Sequence, residues 1–308
     1  MATIDLSNPP PAPVGILGAL PRRVSLTLPE LQCVAARAGG APLPFEMLTP
    51  GGERELGGRL GRTPATLESE AYEAAISSLH DAESSLARRG LLVDTSMDEG
   101  LLGAVGLLAT PTVALDLDVA AGDSRIKAWH RQHGAAVASL ATADGIVFEL
   151  AWFPTDQWAD ELARVTVLPE EFALRDSVVP DQVVLPYALA DAASEAVRSN
   201  RSDLLSVLVA EHAGETRDAG GRPLPDLEVG VLLSGLSTES RGRLRALVAD
   251  VSGAMTAVVG VVSWVLLADG WRALRPRRTE GVDRIEVRRV DPGDLAHELA
   301  PVLAEVTT

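Results

Sequence analysis

The chain has 308 residues, 46% of them hydrophobic, and carries a formal charge of −16. That apolar content excludes an intrinsically disordered protein, and the length is enough to bury a core in one large domain or two smaller ones. The acidity argues against nucleic acid and anionic membrane surfaces, which call for clustered Lys and Arg, and it is accounted for by solubility.

A single cysteine, Cys33, rules out an intrachain disulfide framework and fits a reducing, cytoplasmic compartment. Residues 1–23 are rich in proline (Pro9, Pro10, Pro11, Pro13, Pro21), lack the basic and apolar regions of a secretory signal, and read as a flexible arm. Val24–Leu28 alternates as a short strand. Pro29 starts a helix to Ala38, which Gly39 and Gly40 end. A Pro- and Gly-rich loop follows. Thr63 and Pro64 then open a long helix whose stripe (Leu67, Ala71, Ala74, Ala75, Ser78, Leu79, Ala82, Leu86) runs to Arg88, Arg89 and the stop Gly90. Ser96 caps a second helix through Ala109, with Asp98 and Glu99 in its first turn. In Thr112–Val119, Val113, Leu115, Leu117 and Val119 alternate with polar residues, a strand with one buried side.

From Arg125 to Leu162 a β-meander, turning at His133-Gly134 and at Ala143–Gly145, leads into a Pro-started helix. Residues 169–180 form a connector. Val183–Leu185 is again a short strand, and Leu185-Pro186 leads into a helix to about Asn200, as Leu28-Pro29 does earlier. Ser202 caps another helix; Asp226–Leu236 is apolar and ambiguous. A second meander with a closing helix fills Arg241–Leu299. Its stretch Ala254–Ala268 falls short of the roughly 20 residues of a membrane-spanning helix and reads as a buried central strand, so no membrane insertion is expected.

The order of elements therefore occurs twice, and so do several turn and helix-start dipeptides: Asp144-Gly145 with Asp269-Gly270, Pro154-x-Asp156 with Pro292-x-Asp294, Glu161-Leu162 with Glu298-Leu299. The second copy carries an extra strand, Asp283–Val290. The expected fold is α+β, a pseudo-twofold duplicated fold of mainly antiparallel β-meanders packed with helices. Its halves are 24–168 and 181–308.

Signatures of chemistry are scarce. There is no phosphate loop, no G-x-G-x-x-G after a strand, no nucleophile elbow and no H-E-x-x-H. His130 and His133 lie three apart on a strand and so face opposite sides, which does not suit a shared metal. Asp116 and Asp118 share one strand face, most simply a solvated one. No catalytic residue, metal or cofactor is expected. The distinctive charge feature is basic: Arg241, Arg243 and Arg245 form one row on a strand, with more arginine (Arg272, Arg275, Arg277, Arg278, Arg284, Arg288, Arg289) in the same sheet unit. Such a row is either a solvated face or a contact surface for an acidic or polar partner.

The stretches VSLTLPELQCVAARAGG, ARRGLL, MDEGLLGAVGLLATP before TVALDLDV, GRLRALV, VVSWVLLADGWRAL and IEVRRVDPGDLAHELAPVLAEV together resemble the EspG family, the chaperones of actinobacterial type VII (ESX) secretion systems, over residues 24–308. The resemblance implies a non-catalytic cytosolic chaperone, a monomer or homodimer, that binds helical secreted substrates (a PE–PPE pair, or a WXG100-like hairpin). It implies binding through a loop between early strands, here the short Ala120, Ala121, Gly122, Asp123 and Ser124, and through helices of the C-terminal half. The arginine row adds Arg241, Arg243 and Arg245 as candidate contacts. The alternatives are a regulatory module with a small-molecule ligand, and a hydrolase built on Asp116, Asp118 or His130.

Overall fold

Strands and helices make up this fold in about equal measure. The computed structural model describes residues 22–45, 81–170, 172–253, 255–279 and 281–306. In chain order they form β1 (Arg22–Thr27), α1 (Leu28–Arg37), α2 (Ala82–Arg88), β2 (Leu92–Val93), β3 (Ser96–Met97), α3 (Glu99–Ala109), β4 (Val113–Ala121), β5 (Ser124–His133), β6 (Ala136–Thr142), β7 (Val147–Pro154) and α4 (Trp158–Thr166). Then come β8 (Gln182–Pro186), α5 (Tyr187–Arg198), α6 (Leu205–Glu211), β9 (Arg217–Asp218), α7 (Asp226–Thr238), β10 (Gly242–Asp250), β11 (Ala257–Leu267), β12 (Gly270–Thr279), β13 (Val282–Arg289) and α8 (Asp294–Val306). Eleven strands hydrogen-bond in the order β1-β7-β6-β5-β4-β10-β11-β12-β13-β8-β9, and β2 pairs with β3. The fold is α+β with an antiparallel sheet.

The run β1-α1 to β4-β5-β6-β7 and the run β8-α5 to β10-β11-β12-β13 have the same order of strands, in sequence and in the sheet. This corrects the reading of Asp283–Val290 as an extra strand. The first meander also has four strands, because 113–121 is its opening strand and turns into β5 at Gly122 (φ 57°). The Asp144-Gly145 turn joins the third and fourth strands of its run; Asp269-Gly270 joins the second and third of the other. The long helix expected from Thr63 to Arg88 lies largely outside the described residues; within them it is broken at Asp81, which is extended (φ −80°, ψ 108°), and α2 starts afresh at Ala82 and is stopped at Gly90 (φ 69°).

Two compact units emerge: Met1–Thr112 with Trp129–Thr155, and Val113–Ala128 with Asp156–Thr308. In the first, Leu26, Leu31, Leu101, Leu150 and Trp152 share one core with α1, α2 and α3. Its polar keystone is Glu30. Thr27 and Glu30 form a reciprocal capping box at the start of α1, with the Thr27 N–H donating to Glu30 Oε2 at 2.9 Å. The Glu30 carboxylate, 2% exposed, also takes Arg89 Nη1 at 3.1 Å, and Arg89 Nη2 donates to Ser25 O at 2.6 Å. One carboxylate thus ties α1 to the turn after α2 and to β1. The cap of α3 is Asp98 and not Ser96, which lies in β3: Asp98 Oδ1 accepts the Leu101 N–H at 2.9 Å. Asp98 Oδ2 also holds Arg22 at 3.1 Å, and Arg22 lies over the Trp152 ring.

In the second unit, Trp264 and Trp271 are both buried, with centroids 6.2 Å apart, and Trp271 Nε1 donates to Thr166 O at the end of α4. On β8, β12 and β13, Val183, Leu185, Leu274 and Val287 pack with Leu189 of α5, Val209 of α6 and Leu232 and Leu233 of α7. The ambiguous segment 226–236 is thus a helix. The Ser202 side chain caps nothing there: Ser202–Leu204 is a 3-10 turn before α6. Ala254–Ala268 is not buried throughout. Burial begins at Trp264, while Val258 and Val261 are exposed. No helix among the described residues is long and apolar enough to cross a membrane.

Burial alone would raise the Glu30 pKa, but the Thr27 N–H, Ser85 and Arg89 together hold it below its ordinary value. A depressed folded pKa means stability that is present above the unfolded value near 4.5 and is lost as pH falls through the folded pKa. Thermal melts of Glu30→Gln are therefore expected to show a lower melting temperature at neutral pH than the parent. The gap between the two should narrow in acid, and a gap that stays constant with pH would contradict this role.

Candidate functional site

The residues singled out from the sequence come together on β4, β10 and the hairpin that follows β4. In β10, Leu244, Ala246 and Val248 are buried and Arg243 and Arg245 are exposed, as an alternating strand requires. β4 pairs antiparallel with β10 in the register Arg243↔Ala120, Arg245↔Asp118, Leu247↔Asp116. The basic row therefore lies directly beside the row of Asp116 and Asp118 on the same sheet face. Arg243 Nη2 and Asp118 Oδ2 are 3.9 Å apart and both well exposed, a pairing of about 0–1 kcal/mol. On the other side of β10, Ser263 faces Arg245 and Val261 faces Leu247. The outward face of these three strands thus grades from charged on β4 to apolar on β11.

The approach of β4 to β10 is closest where β10 begins. A Cβ on Gly242 would lie 2.1 Å from the Ala120 carbonyl oxygen, so only glycine fits there. Ala120 and Ala121 are half-buried in this contact; Gly122, Asp123 and Ser124 form the exposed tip of the hairpin. The Gly122 N–H donates to Arg241 O at 2.8 Å.

Arg241 differs from its row-mates. Its guanidinium stacks 4.0 Å above the Phe172 ring, and Nη1 donates to Ala173 O at 2.7 Å. Phe172 also lies against Gly122. Arg241 therefore clasps the connector 169–180 onto the start of β10, a cation–π contact of about 0.5–2 kcal/mol. Nothing in the spacing of the arginines separates Arg241 from the others; its partner is a phenylalanine 69 positions earlier in the chain. At the other end of β10, Asp250 is held below its ordinary pKa by the Ser252 hydroxyl and N–H at 2.7 and 2.9 Å.

A second surface lies on helices of the C-terminal half, the region the family resemblance implies, although no residue of it was named from the sequence. α7 is apolar on two sides: Val229, Leu232 and Leu233 face the core, while Leu227 is 81% and Val231 47% exposed. The neighbouring α6 adds the exposed Val207, and the 3-10 turn before it adds Leu204. A helix that is apolar all round has two faces to bury, and here one remains in solvent. The run VGVLLSGL carried this signal in having no polar face.

The residues named for hydrolysis fall in different units. Asp116 and Asp118 lie on the open sheet face, whereas His130 is 2% exposed and packs edge-on against Phe153 in the first unit. His133 is exposed, on the opposite side of β5 from His130. Among the described residues, no group of three His, Cys, Asp or Glu side chains could hold a metal ion.

No protein-family model and no curated protein matches the chain. Among solved structures it is similar to the Mycobacterium tuberculosis type VII secretion system chaperone EspG5, solved in complex with a PE25–PPE41 dimer. The match covers 93% of this chain and 95% of the other, with a TM-score of 0.54 and 12% identity. The likeness is one of fold.

Gly242→Ala is expected to force β4 and β10 apart and to lower the unfolding free energy by about 1–3 kcal/mol, read from denaturant titration. Arg241→Ala should instead leave the fold in place and speed proteolysis within 169–180. Unchanged cleavage there would remove the clasp.

Proposed function

We propose that this chain is a non-catalytic cytoplasmic chaperone that holds a helical secreted protein, a PE–PPE pair or a WXG100-like hairpin, for a type VII secretion system. The observation that carries this reading is the likeness of fold to EspG5, which spans 93% of this chain and 95% of that one. The surfaces of the second unit support it in physical terms.

An apolar helical tip of a secreted substrate needs an apolar surface to cover it before export. Leu227 and Val231 of α7, with Val207 of α6, offer one built of helices, suited to a helix-against-helix contact. Arg243 and Arg245, with the hairpin tip Asp123 and Ser124, supply charge and hydrogen-bonding groups that steer and orient a polar or acidic partner segment. Arg241, Ala120, Ala121 and Gly122 hold that hairpin in position. Binding of this kind uses complementary surface and requires no reacting group.

The test is capture of partners from the native cell by the tagged full chain. A small helical secreted protein is expected in the eluate. The Leu227→Asp/Val231→Asp variant should lose most of it, a tenfold or greater drop in affinity, with an unchanged melting temperature. Arg243→Glu/Arg245→Glu should mainly slow association and reduce its dependence on salt. Capture of no such protein, or equal capture by both folded variants, would overturn the proposal.

A further inference from the structure

Arg284 and Arg288 belong to the arginine-rich sheet unit but lie apart from the surfaces described above. β12 pairs with β11 only from Gly270 to Ala273 and then runs on with β13 to Thr279. Across that ribbon Ala273 faces Arg288, Arg275 faces Glu286, and Arg277 faces Arg284. On the far side of β13, Gln182 of β8 faces Arg288 and Pro186 faces Arg284. Cross-strand partners and alternate residues share a face, so Arg275, Arg277, Arg284 and Arg288 stand together on one side of the sheet. Leu274, Ile285 and Val287 point the other way, into the core with α5, α6 and α7. Ala273 faces Trp264, which in turn faces Leu244. The four arginines are therefore on the opposite side of the sheet from Arg243 and Arg245.

On this face the carboxylates are turned inward and the guanidinium groups outward. The Glu286 side chain is 1% exposed and Glu298, reaching over from α8, 10%, against 31% for Arg275 and 53% for Arg277. Those two carboxylates are already engaged. Glu298 pairs with Arg275, and Glu286 takes Arg277 Nη2 at 2.8 Å and Gln182 Nε2 at 2.7 Å. Arg284 finds only a neutral group, donating to Glu215 O at 2.8 Å. Arg288 is exposed and meets no carboxylate among the described residues. Arg277 and Arg284 are also like charges placed directly across a ladder, which weakens a sheet. A merely solvated face intersperses the two signs of charge. Here four guanidinium groups surround two buried carboxylates, on a chain whose formal charge is −16.

That segregation selects the partner. A guanidinium presents paired N–H donors that match a carboxylate. A DNA duplex carries one negative charge per roughly 1.7 Å, far more than two unanswered arginines neutralise, and the rest of this acidic chain repels it. A short acidic segment brings only the charges that the face can pair. We propose that the outward face of β12 and β13 binds an acidic segment of another protein through Arg284 and Arg288, with Arg277 at its border. The inference is independent of the chaperone reading, since it involves neither α7 nor the Arg243 and Arg245 row.

The probe is a fluorescein-labelled octapeptide of alternating glutamate and serine, with its glutamine counterpart and a short DNA duplex beside it. Fluorescence anisotropy with the unmodified full chain at low salt is expected to show the glutamate peptide binding and the glutamine peptide not. Arg284→Gln/Arg288→Gln should weaken that binding roughly fivefold or more at an unchanged melting temperature, while Arg243→Gln/Arg245→Gln binds as the parent does. No binding of the glutamate peptide would overturn the proposal. So would equal binding by the folded Arg284→Gln/Arg288→Gln variant, or tighter binding of the duplex than of the peptide. Arg284 also holds a carbonyl, so if the double variant does not fold, Arg288→Gln alone decides the matter, and an unchanged affinity there overturns the proposal.

Discussion

The structure depends on one long-range ladder, β4 against β10. Nine consecutive residue pairs, from Gly242↔Ala121 to Asp250↔Val113, join segments more than 120 positions apart in the chain. The ladder is as close as a ladder can be at Gly242, where the opposite carbonyl leaves no space for a side chain. It draws 113–128 into the second compact unit, although the elements on either side of that segment belong to the first. It sets Asp116 and Asp118 beside Arg243 and Arg245, and it hangs the hairpin tip on the Arg241 backbone. Closing so long a loop costs entropy that the local hairpins do not.

The legible parts of the fold were those that local chemistry decides. One-sided alternation in 113–119 and 242–250 gave strands with the correct faces inward. The short strand followed by a Pro-started helix recurs at β1-α1 and β8-α5, and the stop at Gly90 lies where a left-handed residue is needed. What escaped was decided by partners. Ser96 and Asp98 are both plausible caps; Asp98 takes the role because it also meets Arg22. AMTAVVGVVSWVLLA is uniformly apolar, so hydropathy alone could not show that its first half lies at a fork in the sheet. Strand 113–121 was left out of its meander because its pairing partner lies in the distant half of the sequence.

The same holds for the candidate site. The arginine row was legible as a row, yet its members have different roles. Arg241 is held by Phe172, and of the other arginines Arg272 pairs with Asp269 at 2.8 Å, Arg277 with the buried Glu286 at 2.8 Å, and Arg275 with Glu298. Arg284 donates to Glu215 O and Arg289 reaches Asp269. Much of the local excess of arginine is thus internal wiring: Arg277 answers the buried Glu286, and Asp269 answers the buried Arg272. The candidate contact surface is narrower than the composition suggested, and its apolar component lies on α7, in a run whose sequence is apolar and ambiguous.

The ladder also bears on modularity. A chain severed within the connector 169–180 would yield two pieces, each keeping one strand of the β4–β10 pair with its neighbour missing. Each piece would expose the ladder edge that the other covers in the intact chain. Neither is a cassette that recombination could move into another protein and leave soluble.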